Sequence, residues 1–173
     1  MSGVVCWDSR GPAQTQQFGQ VLGRLLRAGD VIALRGPLGA GKTQLTKGIA
    51  IGLEVPADEP VVSPTFVLAR RYIGRLRLHH LDAYRLRGAD ALLALGFDEM
   101  LDEPDAVVVI EWADHVAAAL PPHAWWVELA HVGPRTRRLC LRVPDAQRHL
   151  WLAAALSEVG LRAERGGNPV TDG

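Results

Sequence analysis

The chain has 173 residues, 48% of them hydrophobic, and its 19 Lys plus Arg are balanced by 19 Asp plus Glu. That length and composition fit one soluble domain able to bury a core without staples. The even charge speaks against a strong nucleic-acid binder acting alone, and no apolar run is long enough to span a bilayer. Cys6 and Cys140 have no metal-type spacing and suggest no disulfide framework, and no signal peptide is visible at the N-terminus. A reducing, cytoplasmic setting is therefore expected.

Residues 1–14 show no clear period. From Thr15 a helix is expected, because Phe18, Val21, Leu22, Leu25 and Leu26 fall on one face; Thr15 can cap it and Gly29 can end it. Residues 31–35 read as a strand. After it, Leu45, Ile49 and Leu53 define a second helix, which Gly48 and Gly52 weaken and Pro56 stops. Residues 54–60 are a polar loop, and Pro64 excludes a helix around Ser63. Residues 66–73 and 75–81 read as a hairpin about Gly74, the second strand half-exposed from its Arg/Leu alternation. Residues 89–95 form a short helix closed by Gly96, with another turn over 97–101. Residues 106–110 are a continuous β-branched run, as in a strand buried on both faces. A short helix over 114–120 stops at Pro121-Pro122. Strands over 124–130 and 137–143, joined at Gly133-Pro134, precede a last helix over 145–159.

This order predicts an α/β fold: a mixed β-sheet with antiparallel hairpins, flanked by helices and of the P-loop NTPase-like kind. Strands 31–35 and 106–110 should be parallel neighbours at its centre. Residues 1–160 are expected to be a single domain and 161–173 a flexible tail.

The segment Gly36-Pro37-Leu38-Gly39-Ala40-Gly41-Lys42-Thr43 has the form G-x-x-x-x-G-K-[ST] and lies between a predicted strand and a predicted helix. That context marks a phosphate-binding loop. Glycines let backbone N–H groups approach an anion, and the helix start adds its positive dipole end. Gly36, Leu38, Gly39, Ala40, Gly41, Lys42, Thr43 and Gln44 are the expected nucleotide contacts. Lys42 would reach the β- and γ-phosphates of ATP or the phosphates of ADP, and the Thr43 hydroxyl would bind Mg²⁺.

Hydrolysis needs more than a cradle. Glu111 ends the buried strand, beside the loop in a parallel sheet, and a carboxylate there would bind Mg²⁺; most phosphate-loop enzymes place Asp at this point. Asp82, just after a strand, could hold a water or simply cap the next element. Thr65 of Ser63-Pro64-Thr65 could contact a γ-phosphate or sit in a Pro-led turn. His80 reads more readily as a structural histidine than as a proton carrier. Trp112 follows Glu111 and could serve the site or the core. Arg135, Arg137 and Arg138 read mainly as a solvated edge, with a phosphate or partner contact as the minor reading.

With those residues in place, the sequence resembles the TsaE (YjeE) family, ATPases of threonylcarbamoyladenosine formation in bacterial tRNA. The resemblance rests on four segments in order: the GxLGAGKT loop at 36–43, S-P-T-F at 63–66, H-x-D-x-Y-R-L at 80–86 and the pair Glu111-Trp112. It implies a hydrolase that converts ATP to ADP and phosphate, with Thr43 and Glu111 as Mg²⁺ ligands. Lys42, Asp82 and Glu111 would be the catalytic groups, with Thr65 and Trp112 near the nucleotide. It also implies the partners TsaD and TsaB, contact with tRNA only through their complex, and no membrane; a switch-bearing site without an obvious second-substrate pocket is expected to be weakly active until a partner orders it. Pro37 departs from the polar or acidic residue common at that point. A small metabolite kinase and a non-catalytic nucleotide-binding adaptor are the rival readings. A GTPase would want an N-K-x-D segment, which is missing.

Overall fold

Thirteen elements follow one another in the computed structural model, which describes residues 4–163. They are β1 (Val4–Ser9), α1 (Pro12–Leu25), β2 (Val31–Arg35), α2 (Lys42–Gly52), β3 (Ala69–Ile73), β4 (Arg77–Asp82), α3 (Ala89–Leu93), α4 (Phe97–Asp102), β5 (Ala106–Glu111), a 3-10 helix (Ala113–Ala119), β6 (Trp125–His131), β7 (Arg137–Arg142) and α5 (Ala146–Glu158). The seven strands form one sheet in the order β1-β7-β6-β2-β5-β4-β3. As expected, β2 and β5 are parallel neighbours near its centre. The hairpins β3–β4 and β6–β7 are antiparallel within themselves, but their inner strands join the centre in parallel, β4 on β5 and β6 on β2. Strand β4 reaches β5 through α3 and α4, and only β3 and β7 run against the other strands.

Alternation along the central strands divides the interior in two. Ile32, Leu34, Val107 and Val109 meet Phe18, Leu22, Leu45 and Ile49 of α1 and α2, with Leu152 and Leu156 of α5 behind them. Val31, Ala33, Val108 and Ile110 meet Leu92, Phe97 and Val116 on the other face. A strand covered on both sides needs no polar face, which is why residues 106–110 are uniformly apolar.

Several expectations change. Residues 4–9 form an edge strand although they show no long period. Helix α1 starts at Pro12, not Thr15, because proline suits the first helical position, where no N–H bond is lost. Thr15 is buried within the helix, its hydroxyl 2.8 Å from that of Ser9. The helix ends at Leu25, four residues before Gly29. Strand β4 is buried from Leu78 to Asp82 rather than half-exposed, since only Arg77 and Leu78 of the Arg/Leu alternation lie within it. Residues 65–67 turn instead of extending, with the Leu68 N–H donating to Pro64 O at 2.6 Å, and β3 begins at Ala69. At the C-terminus, Gly160 (φ 82°) closes α5, and the Leu161 N–H donates to Leu156 O at 2.9 Å. This left-handed cap folds Leu161 into the core. Leu161, expected in the tail, is thus part of the packed fold, and residues 164–173 lie outside the described residues. Among the described residues no helix is long and apolar enough to cross a membrane.

The cysteines are a further correction. Antiparallel pairing of β1 with β7 sets Cys6 directly opposite Cys140, and the two are joined in a disulfide. Spacing in the sequence could not show this, because the register depends on the unpredicted strand β1, and the expectation of a reducing setting loses its support from the cysteines. The bond closes a loop spanning 134 positions, a length at which a cross-link strongly restricts the unfolded chain. Reduction, or Cys6→Ser, should lower unfolding free energy by about 2–5 kcal/mol in urea titrations. A thiol assay on the protein unfolded without reductant should find no free thiol, since both cysteines are buried in the fold; two reactive thiols there would refute the pairing.

Candidate nucleotide site

The loop between β2 and α2 is shaped by three left-handed glycines: Gly36 (φ 146°), Gly39 (φ 76°) and Gly41 (φ 104°). At Gly36 a Cβ would stand 2.2 Å from Leu129 O, so no other residue fits between the loop and β6. Lys42 opens α2, and its ammonium turns back to donate to Gly36 O at 2.6 Å and Pro37 O at 2.9 Å. Its Nζ also lies 3.8 Å from the centre of the Trp112 ring. Burial holds the Lys42 pKa below the usual lysine value, while Glu111, then Asp114 and Asp82, oppose that shift. An anion here would relieve the desolvated charge.

The carboxylates come from adjacent strand ends. Register pairs Asp82 of β4 with Glu111 of β5, and Glu111 with Leu34 of β2. Alternation turns both acids toward α2. The Thr43 hydroxyl lies 3.1 Å from each Glu111 oxygen, and His80 Nε2 lies 2.7 Å from Glu111 Oε1. Asp82 accepts from the Ser63 and Thr65 hydroxyls at 3.0 and 3.1 Å and from the Tyr84 N–H at 2.9 Å. The segment 63–65 is thereby clasped onto the end of β4. Trp112 has a left-handed backbone (φ 57°), a conformation costing a non-glycine residue about 1–2 kcal/mol. It turns the ring under Lys42 and against Tyr84, whose ring centre is 4.9 Å away.

These groups line an open cavity of about 1000 Å³. Of the residues singled out from sequence, Leu38, Gly39, Ala40, Gly41, Lys42, Thr43 and Gln44 face it, as do Thr65, Asp82, Glu111 and Trp112. Gly36 does not; it supplies the bend and a carbonyl for Lys42. Pro37 likewise acts through its carbonyl, which accepts from Lys42 and from the Ala40 N–H at 3.1 Å. Sequence reading missed Arg10 and Thr15, which reach the cavity because β1 delivers the start of α1 to its rim. Arg135 and Arg137, read mainly as an edge, line it too, and Arg137 Nε lies 3.4 Å from Gly39 O. Arg138 points elsewhere and pairs with Asp8 through two bonds of 2.8 and 2.9 Å. The arrangement offers hard oxygen donors and a desolvated cation beside backbone N–H groups, the donor set that suits Mg²⁺ and a polyphosphate.

Comparison with known proteins gives the chain's family. A family model described as threonylcarbamoyl adenosine biosynthesis protein TsaE matches residues 9–139. The tRNA threonylcarbamoyladenosine biosynthesis protein TsaE of Treponema pallidum is 40% identical over 131 residues, 76% of this chain and 95% of that protein. Its counterpart in Mycobacterium leprae is 49% identical over 114 residues, 61% of this chain and 70% of that one. The crystal structure of Bacillus subtilis YdiB superposes with a TM-score of 0.75 at 28% identity, covering 92% of this chain and 98% of that chain. A family model matching residues 9–139, a relative 40% identical across most of both chains and a shared fold make this chain a member of the TsaE family, with that family's role in forming threonylcarbamoyladenosine in tRNA.

Proposed function

We propose that the chain is a Mg²⁺-dependent ATPase that converts ATP to ADP and phosphate, acting in the cytoplasm while docked on the TsaD–TsaB dimer. The observation that carries this reading is the Thr43–Glu111 pair. A buried carboxylate at the end of β5 meets, at 3.1 Å, the hydroxyl that opens the helix of a phosphate loop. Thr43 and Glu111 would hold Mg²⁺. Among the described residues no group of three or more His, Cys, Asp and Glu is poised for a metal, so phosphate oxygens and water would complete the shell, as Mg²⁺ prefers. The metal would neutralise charge on the phosphates.

The chain's own groups have separable tasks. Backbone N–H groups of residues 38–44 would cradle the phosphates. Lys42 would exchange its two carbonyl partners for phosphate oxygens. Asp82 would orient the attacking water, with Thr65 leaving its clasp to meet the γ-phosphate. That exchange needs a segment to move, and a partner that favours the moved state would raise turnover.

Phosphate release should therefore be slow for the isolated chain, rise when TsaD–TsaB is added, and vanish in EDTA. Phosphoryl transfer to a metabolite with no response to the dimer would instead establish the kinase reading. Nucleotide binding with no release under any condition would establish the adaptor.

A further inference from the structure

His80 sits in the middle of β4 with no exposed surface. One ring nitrogen, Nε2, is 2.7 Å from Glu111 Oε1. The other, Nδ1, is buried and has no hydrogen-bond partner among the described residues. A histidine kept for packing alone would be an odd choice there. A buried polar atom without a partner is destabilising by about 1–3 kcal/mol, and Leu or Phe would fill the space without it. The bond at Nε2 offsets that cost. Glu111 is 3% exposed, and its carboxylate has only acceptors, so Nε2 must carry the proton and donate.

We propose that His80 is a positioning residue that fixes the carboxylate of Glu111. It engages Oε1 from the buried side and leaves Oε2, which has only the Thr43 hydroxyl as a partner among the described residues, to serve a metal there. The idea rests on the proposed metal role of Glu111 and extends it: ligating carboxylates are themselves held by hydrogen bonds, and losing such a partner typically lowers metal affinity by 10–100-fold. The placement also joins two functions on one strand. His80 and Asp82 are two residues apart on the same face of β4, so one rigid element orients Glu111 and clasps Ser63 and Thr65.

The test compares His80→Asn with His80→Gln, because the Gln amide nitrogen falls near the Nε2 position whereas the Asn amide stops short of Glu111. Affinity for the non-hydrolysable triphosphate AMPPNP is measured by calorimetry in Mg²⁺ and in EDTA. The wild type should bind more tightly with Mg²⁺. In H80N that metal-dependent gain should fall about tenfold or more with the EDTA affinity retained, and H80Q should restore most of it. H80N with an undiminished gain overturns the proposal. If H80N does not fold, His80→Leu, which keeps similar volume and removes the donor, is read in the same way: an undiminished gain overturns the proposal, and a loss of the gain with the EDTA affinity retained supports it. Glu111→Gln separates the two layers. If E111Q loses the gain and H80N keeps it, only the positioning role fails. If E111Q keeps the gain, or the wild type has none, the metal reading falls and this one with it.

Discussion

Lys42→Ala should cut phosphate release by about 10²–10³-fold, the usual loss when one preorganised charge-stabilising donor is removed from a site. The reason lies in how the ammonium is held. Burial already disfavours its charge, and two carbonyls with the Trp112 ring face take the place of water around it. A triphosphate would offer a stronger partner at the same point, so the charge is desolvated before the substrate arrives and needs little reorganisation. Lys42→Arg should not rescue, because a planar fork cannot follow the path of the flexible stem back into the loop. Phosphate release and nucleotide affinity should be measured on the same preparations. Normal turnover in Lys42→Ala would mean that the nucleotide does not lie in this loop.

How much of this site could be read in advance depended on distance along the chain. The loop is local: its glycines, lysine and threonine are contiguous, and their chemistry follows from spacing alone. Glu111 was legible because a uniformly apolar strand ending in an acid has one sensible neighbour in a parallel sheet. Asp82 and Thr65 were ambiguous on their own, each with an ordinary turn or cap reading, and they meet only through the turn over residues 65–67. Arg10 and Thr15 could not be found, since both depend on β1 pairing with β7 at the far edge. His80 was legible as buried and structural. Its link to Glu111 needed the β4–β5 register.

The helices show the same limit. Periodicity identified the buried faces of α1 and α2, and the glycines at 48 and 52 registered only as weak points. Their purpose appears when α1 is laid across α2. Gly19 and Gly23 on one helix, and Gly48 and Gly52 on the other, recur at four-residue spacing, each on the face that meets the partner helix. That doubled spacing was present in the sequence and could have signalled a close crossing.

Gly48→Ala turns this into a prediction whose sign decides. Helix propensity alone favours alanine by about 1 kcal/mol. A Cβ at residue 48, however, would stand 2.1 Å from the carbonyl oxygen of Gln16, and the obstruction is backbone, which no rotamer change relieves. Overpacking of a tight contact typically costs about 1–3 kcal/mol or more. Because the clash is with backbone, the cost should fall at the top of that range, so the variant should lose about 2 kcal/mol net in urea titration, with a fall in Tm of roughly 4–8 °C. A higher Tm would mean that the helices are not this close. The effect should also reach the site. Helix α2 begins at Lys42, so pushing it away from α1 moves Lys42 and Thr43 relative to Glu111, which is fixed in β5. At a temperature where Gly48→Ala is still folded, its affinity for a magnesium-bound nucleotide should drop, although residue 48 does not line the cavity.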